Sequence, residues 1–350
     1  MESSSEISMT SFSVGVRVMR RGIRRSRGRS AVLLLMAAAI VVAATACRGG
    51  EPPARSSGAS ASGASAPARD GFPRTVVDAS GEAIAIAARP RRIVSQTLAS
   101  DEILLAICPL DRIAGLSTLA DDDAYSNVAE QARTHKIPLV SSAEDALQLT
   151  PDLVLVASYS RAEVIELLKA SGAPVFRFAS FERFDDLKRN VETLGRLIGE
   201  ESAAAALATK MQARLDAVAR RAAARGRRPT VLSYAGTGFT AGANTLFDDA
   251  IRRAGGVNLA ATHGLKGFVQ LSAEQVMAWQ PDLIVSGAKG SEIDVTRARL
   301  LRDPALAETR AVKDGRLLIM DDRSYLAASQ YAIDAVERLA DAFDALPPAR

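Results

Sequence analysis

Histidine, cysteine and tryptophan are nearly missing from this chain: two, two and one respectively in 350 residues. With His135 and His263 alone, a dedicated zinc centre would have to be assembled almost wholly from carboxylates, and no such cluster with tetrahedral reach is evident. His135 lies in Arg133-Thr134-His135-Lys136 and reads as solvated. No G-x-S-x-G motif occurs and neither histidine has a motif context, so a hydrolase would have no nucleophile and base to carry it. Gly236-Thr237-Gly238-Phe239-Thr240-Ala241 matches the dinucleotide fingerprint in form. No strand ending in an acidic residue follows about 20 positions later, so nucleotide binding is not supported. Asp121-Asp122-Asp123 lacks the alternating spacing and central glycine of a calcium loop and reads as a solvated turn.

The net charge of +4 is also misleading. Residues 1–46 hold 7 of the 44 basic and 2 of the 40 acidic residues, which leaves 37 and 38 in the remainder. A nearly neutral remainder is no argument for nucleic acid. Those first 46 residues carry seven arginines between Arg17 and Arg29, then an apolar run from Ala31 to Ala46. The run is shorter than the roughly 20 apolar residues a comfortable membrane span needs. A basic region, a short apolar core and small residues at its end make an export signal.

Ala44-Thr45-Ala46-Cys47 resembles the bacterial lipobox. That resemblance implies cleavage before Cys47 and lipid on its sulfur; an ordinary secretory signal or an uncleaved anchor are the alternatives. Either way, the rest of the chain works outside the cytoplasm. With Cys47 lipidated, Cys108 has no partner for a disulfide, and its apolar flank reads as a buried, inert thiol. Residues 48–70 are glycine, serine, alanine and proline with almost no large apolar side chain. They cannot bury enough surface to offset ordering entropy and read as a flexible tether.

Beyond Phe72, short β-type runs alternate with helical patterns. Strands are expected at Arg92–Ser95, Ile113–Ser117, Leu153–Ser158, Val175–Ala179, Thr230–Tyr234, Leu283–Ser286 and Leu317–Asp321. Most are apolar on both faces, as in parallel sheets covered by helices. Helices fit Ser100–Cys108, Glu144–Gln148, Arg161–Ser171, Phe184–Gly199, Asn244–Ala254, Glu274–Trp279 and Ala332–Ala345. The longest helical stretch, Glu201–Arg225, lacks proline and glycine and is rich in strong helix formers. At 1.5 Å per residue it would span about 37 Å, enough to bridge two lobes. A weak repeat flanks it. Glu144 to Leu155 (EDALQLTPDLVL) aligns with Glu274 to Val285 (EQVMAWQPDLIV), each an acidic residue opening a short helix, then Pro-Asp, then a buried strand. Two similar α/β lobes follow from this.

Arg92–Ile107, Glu144–Val156, Thr230–Asn258, Phe268–Val285 and Val312–Asp321 together resemble the periplasmic binding proteins of ABC importers for ferric siderophores, haem and cobalamin. The order, spacing and paired Pro-Asp units carry the resemblance; no single motif does. It implies an α/β fold of two Rossmann-like lobes with parallel sheets, joined by one long α-helix, with the ligand cleft between the lobes. The expected organisation is a signal peptide over 1–46, a lipidated cysteine and tether over 47–71, one lobe over 72–200, the bridging helix over 201–225 and a second lobe over 226–350.

Ligands of open α/β sheets bind beyond the carboxyl ends of the strands. The loops expected there hold Tyr159, Arg161, Phe239, Lys266, Phe268, Lys289 and Tyr325, the candidate ligand-binding residues. Their rings offer apolar contact to a large chelate, and their basic groups tilt the choice slightly toward an anionic one. His263 is a candidate axial ligand should the chelate be haem, and Tyr159 or Tyr234 a candidate phenolate. By the resemblance, Glu144 and Glu274 meet arginines of the two permease subunits; plain capping is the alternative.

The reading is therefore an extracytoplasmic, lipid-anchored binding protein, monomeric, not an enzyme, with no cofactor or structural metal of its own. Its partners are a permease and a metal chelate: ferric siderophore first, then haem, then cobalamin. A two-lobed metal or tetrapyrrole enzyme and a lipid-anchored surface protein are the competing classes.

Overall fold

A computed structural model describes residues 71–235 and 238–347. The signal segment, Cys47, the tether over 48–70, and Gly236 and Thr237 of the glycine-rich loop lie outside the described residues.

The described chain runs β1 (Arg74–Val77), β2 (Ala83–Ile86), β3 (Ile93–Ser95), α1 (Leu98–Ile107), β4 (Ile113–Ser117), α2 (Ala129–Thr134), β5 (Leu139–Val140), α3 (Ala143–Gln148), β6 (Leu153–Ala157), α4 (Ala162–Ala170), β7 (Val175–Phe178) and α5 (Phe184–Ile198). The long helix α6 (Glu201–Arg225) follows. Then come β8 (Thr230–Ser233), β9 (Phe239–Ala241), α7 (Leu246–Arg253), β10 (Val257–Asn258), α8 (Leu259–Thr262), β11 (Phe268–Gln270), α9 (Ala273–Trp279) and β12 (Leu283–Ala288). The chain closes with α10 (Ile293–Leu301), α11 (Arg310–Lys313), β13 (Leu317–Asp321), α12 (Asp322–Tyr325) and α13 (Ile333–Ala345).

Runs that are apolar on both faces become central strands. All five residues of β6 are buried, and β6 sits inside a five-stranded parallel sheet ordered β5-β4-β3-β6-β7. Beyond α6 a four-stranded parallel sheet is ordered β10-β8-β12-β13. Each sheet with its helices is one Rossmann-like lobe, the fold class expected. The strands missing from the sequence reading are short: β5 and β10 have two residues each, and β1–β2 and β9–β11 are two-stranded antiparallel ribbons; the helices α2, α8, α10, α11 and α12 are missing from it too. Strands this short hold too few residues for a period to register.

α6 buries Ala204, Ala208, Met211, Leu215 and Val218, a stripe at alternating spacings of four and three residues. Its first half packs on α5, where a Cβ on Gly195 would stand 2.4 Å from that of Ala204, so glycine permits the close approach. Its second half is tied to α13: Arg214 pairs with Asp334 and Glu337 at 2.6 Å each, Arg221 with Asp341 at 2.7 Å, and Arg225 with Asp344 at 2.7 Å. One apolar cluster runs through Leu155 and Phe178 of the first sheet, Met211 and Val218 of α6, and Val285 and Phe343 of the second lobe. The two lobes thus share a core. Cys108 is buried, and burial pushes its thiol up to about 11. Among the described residues, no helix is long and apolar enough to cross a membrane.

Candidate ligand cleft and docking corners

At the carboxyl ends of the two sheets a cleft opens between the lobes. In it, the loop after β4 faces the loops after β12 and β13. They line a cavity of about 820 Å³ that carries Asp121, Asp122, Asp123 and Asp321 against Lys289 and Arg323. Arg323 is neutralised by Asp321 at 3.0 Å, and Arg133 pairs with Asp121 at 2.9 Å and Asp123 at 2.6 Å. Lys289 lies 5.9 Å over the ring of Tyr125 in the opposite lobe. Burial, then Asp321 and Glu292, push Asp322 up to about 6, with Lys289 opposing. The aspartate run, read from sequence as a solvated turn, is part of the cleft wall. The slight tilt toward an anionic ligand loses its support in this cavity, because aspartates outnumber cations there.

Of the candidate ligand-binding residues only Lys289 is among those lining that cavity; the aromatic candidates form two separate groups, one on each lobe. Tyr159 and Arg161 follow β6; the Tyr159 ring stands 5.9 Å from that of Phe181, which follows β7. Tyr159 is 64% exposed, yet surrounding protein raises its hydroxyl pKa, with a bond to Thr97 opposing. Both observations fit a side chain standing inside a concave site. In the second lobe, β9 and β11 pair with Phe239 opposite Gln270 and Ala241 opposite Phe268. Residues two apart share a face, so Phe239 and Phe268 stand diagonally on one side of the ribbon, 43% and 67% exposed. Buried Thr240 lies on the other side. Lys266 is exposed just before β11 and Lys289 just after β12. Tyr325 differs from the rest. Its ring packs 4.7 Å from Phe247, a Cβ on Gly287 would stand 2.3 Å from it, and burial raises its pKa against a bond from Ser233. It shapes the floor rather than projecting freely.

Two haem-ligand candidates are otherwise engaged. His263 stacks on Trp279 with centroids 4.3 Å apart and planes 4° apart. Trp279 ends α9, beside Asp282 and Thr230 at the amino ends of the strands, the edge away from the cleft. Tyr234 donates to Asp303 at 3.1 Å, and burial pushes its pKa up to about 12. Among the described residues no group of His, Cys, Asp and Glu could hold a metal ion.

The repeated units are built alike. Glu144 and Glu274 are each the second residue of a short helix and exposed. Ser142 accepts from the Asp145 amide at 3.1 Å, and Ser272 accepts from the Gln275 amide at 3.3 Å. The Ser272 hydrogen bond holds the Glu274 carboxyl below its ordinary range. Asp152 accepts from the Arg91 and Arg92 amides at 2.7 and 2.9 Å, which ties it to the start of β3. Asp282 accepts from the Thr230 amide and hydroxyl, both at 2.9 Å, which ties it to the start of β8. Since α3 and α9 run toward the amino ends of the strands, their own amino ends, with the glutamates, lie on the cleft side.

A family model described as periplasmic binding protein matches residues 93–324. The chain belongs to the periplasmic binding protein family. It is 29% identical over 277 residues to the cobalamin-binding protein of Halobacterium salinarum, covering 78% of this chain and 74% of that one. To the uncharacterized ABC transporter substrate-binding lipoprotein YvrC of Bacillus subtilis it is 26% identical over 281 residues, covering 77% and 85%. The solved periplasmic heme-binding protein RhuT of Roseiflexus sp. RS-1, in apo form, superposes with a TM-score of 0.62 at 28% identity, over 72% of this chain and 99% of that one. These relatives are binding proteins, not enzymes, and periplasmic binding proteins are extracytoplasmic.

Sequence reasoning missed one polar group in this binding protein. Asp101 and Glu102 open α1 and are fully buried. Asp101 receives the Ser117 amide and hydroxyl, and burial still pushes it up to about 8. Glu102 is also raised by burial. Nothing in Ser-Asp-Glu-Ile-Leu-Leu signals that donors from elsewhere in the chain cover the two acids.

Proposed function

We propose that this chain is the substrate-binding subunit of an ABC importer. It captures a tetrapyrrole-sized metal chelate in the cleft and presents it to the permease through Glu144 and Glu274. The observation that carries the reading is the like construction of the two corners, one on each lobe and both facing the cleft side. A serine cap, a glutamate at the second helical position and a Pro-Asp stop recur in each. Two equivalent exposed carboxylates suit a partner with two equivalent basic sites, where arginine pairing supplies orientation as well as energy. Tyr159, Phe239 and Phe268 offer the faces for a planar ligand, Tyr325 closes the floor, and Arg161, Lys266 and Lys289 stand at the rim.

The charge of the cleft reorders the ligands relative to the sequence reading. Carboxylates at the cavity accept hydrogen bonds and repel anions, so they suit the amide arms of cobalamin better than the propionates of haem. The relative named for cobalamin binding points the same way. Haem is the second reading, on the likeness to a solved heme-binding protein. Lipid attachment at Cys47 completes the proposal, with several acyl chains needed for stable anchoring.

Equilibrium titration of the mature protein against cobalamin, haemin and a ferric hydroxamate tests the ligand. Saturable one-to-one binding is expected, tightest for cobalamin. Binding of none of the three, with tight binding of a free metal ion or a sugar, would overturn the assignment.

A further inference from the structure

We infer that the width of the cleft is held by two reciprocal carboxylate locks, one on each flank, each carboxylate coming from a different lobe. The first is Asp249, in α7 of the second lobe. Its Oδ2 accepts the backbone N–H of Phe184, the first residue of α5 in the first lobe, at 3.0 Å. The first amides of a helix have no partner within it, so this donor is capped from the other lobe. Asp249 is 5% exposed and keeps Arg253 beside it at 2.8 Å; Arg253 in turn reaches Asp185 at 3.1 Å and lies 5.5 Å over the Phe184 ring.

The second lock is Glu102, in α1 of the first lobe. Its Oε1 accepts from the amide and side chain of Asn127 at 3.0 and 2.9 Å. Its Oε2 accepts the hydroxyl of Ser329 from the second lobe. Gln330 donates to the Glu102 carbonyl at 2.9 Å, and Asn127 donates onward to the Arg323 carbonyl at 2.8 Å. Among the described residues Glu102 forms no ion pair, so hydrogen bonds from both lobes must stabilise a carboxyl that is 1% exposed. Withdrawing a donor from such a group costs far more than the net worth of the bond, because the group stays desolvated.

The positions give the pair its effect. Phe184 follows β7, one edge of the first sheet, while Asn127 follows β4, on the other side of β3. A rotation that opens either flank must break the lock on that flank. The shared core and the unbroken α6 resist the remaining motions. The cleft is therefore held at one width by bonds between the lobes themselves, whether or not a ligand is present.

Amide-resolved hydrogen exchange on the mature protein without ligand tests this, with Ser329→Ala as the main variant. That change removes the cross-lobe donor to the Glu102 carboxyl and leaves both Asn127 bonds and the Gln330 bond to the Glu102 carbonyl. If the locks act together, the Phe184 amide on the opposite flank should exchange at least tenfold faster, while amides in β6 keep their wild-type protection. Glu102→Ala should have a larger effect with the same pattern. An unchanged Phe184 rate in both variants, or a rise matched by the β6 amides, would overturn the proposal, the latter because it reports global destabilisation only.

Discussion

Thr150 and Gln280 adopt the same left-handed backbone, with φ of 45° in each, and each stands directly before the proline of a Pro-Asp pair. They lie at equivalent points of the two lobes. Proline disfavours the right-handed helical region for the residue before it, so α3 and α9 cannot continue and the chain turns by the sterically costlier route. The turn then delivers Asp152 and Asp282 to the starts of β3 and β8. The repeat read from sequence is thus a repeat in backbone conformation and in hydrogen bonding.

Glycine at these positions separates backbone strain from side-chain bonding. Thr150→Gly should stabilise the protein by about 1 kcal/mol, since glycine adopts positive φ freely. Gln280→Gly should not, because the Gln280 side chain donates to the Met277 carbonyl at 2.7 Å and accepts from the Arg310 amide at 2.9 Å. Each such bond is worth about 1 kcal/mol, enough to cancel the relief of strain. Chemical denaturation midpoints of the two variants check the contrast.

Much of the fold was legible because it rests on strong local signals. LVLVA, TVLS and LIVSGA are buried strands with few other readings, and an uninterrupted helix-forming stretch became α6 with the bounds expected. The cleft was less legible. The ribbon that presents Phe239 and Phe268 has three residues per strand, and α7, β10 and α8 intervene between its two strands. Asp101 and Glu102 are buried by partners 16 to 228 residues away, which no local pattern records. His263 misled because its partner Trp279 is distant in sequence; a loop histidine gives no sign of whether an indole covers it.

The buried Asp101 makes stability depend on pH. Its carboxyl ordinarily titrates near 3.8 and in the folded protein near 8, so between these values the folded state holds a proton that the unfolded state has lost. Stability from this group is therefore full at low pH and falls as pH rises toward 8. The wild-type Tm should drop from pH 5 to pH 8.5, and Asp101→Asn, which stays neutral, should show a flatter slope. A Tm profile identical in both proteins would remove Asp101 from the account.

On the proposed function, the exposed rings of the β9–β11 ribbon should carry much of the ligand affinity. Phe239→Ala and Phe268→Ala each remove an exposed ring from the ribbon without touching the core. An aromatic pair is worth about 0.5–1.5 kcal/mol beyond area burial, so each change should weaken a planar chelate by roughly three- to tenfold or more, and the double variant further. Tyr325→Phe should matter less for direct contact, since that ring is already packed on Phe247. Titrations of the three variants, with circular dichroism to check the fold, give the comparison.

Delivery to a permease is the central claim, and one measurement addresses it directly. Ligand affinity and permease-dependent uptake should be measured side by side for Glu144→Ala plus Glu274→Ala, using the permease that this chain serves, reconstituted in vesicles. Both carboxylates are exposed helix-start residues at the lobe corners. The account predicts ligand affinity within about twofold of wild type and uptake reduced at least tenfold, consistent with the loss of two charged docking contacts. Unchanged uptake would reduce both glutamates to helix caps, and a collapse of ligand affinity would make them pocket residues; either result would contradict the account.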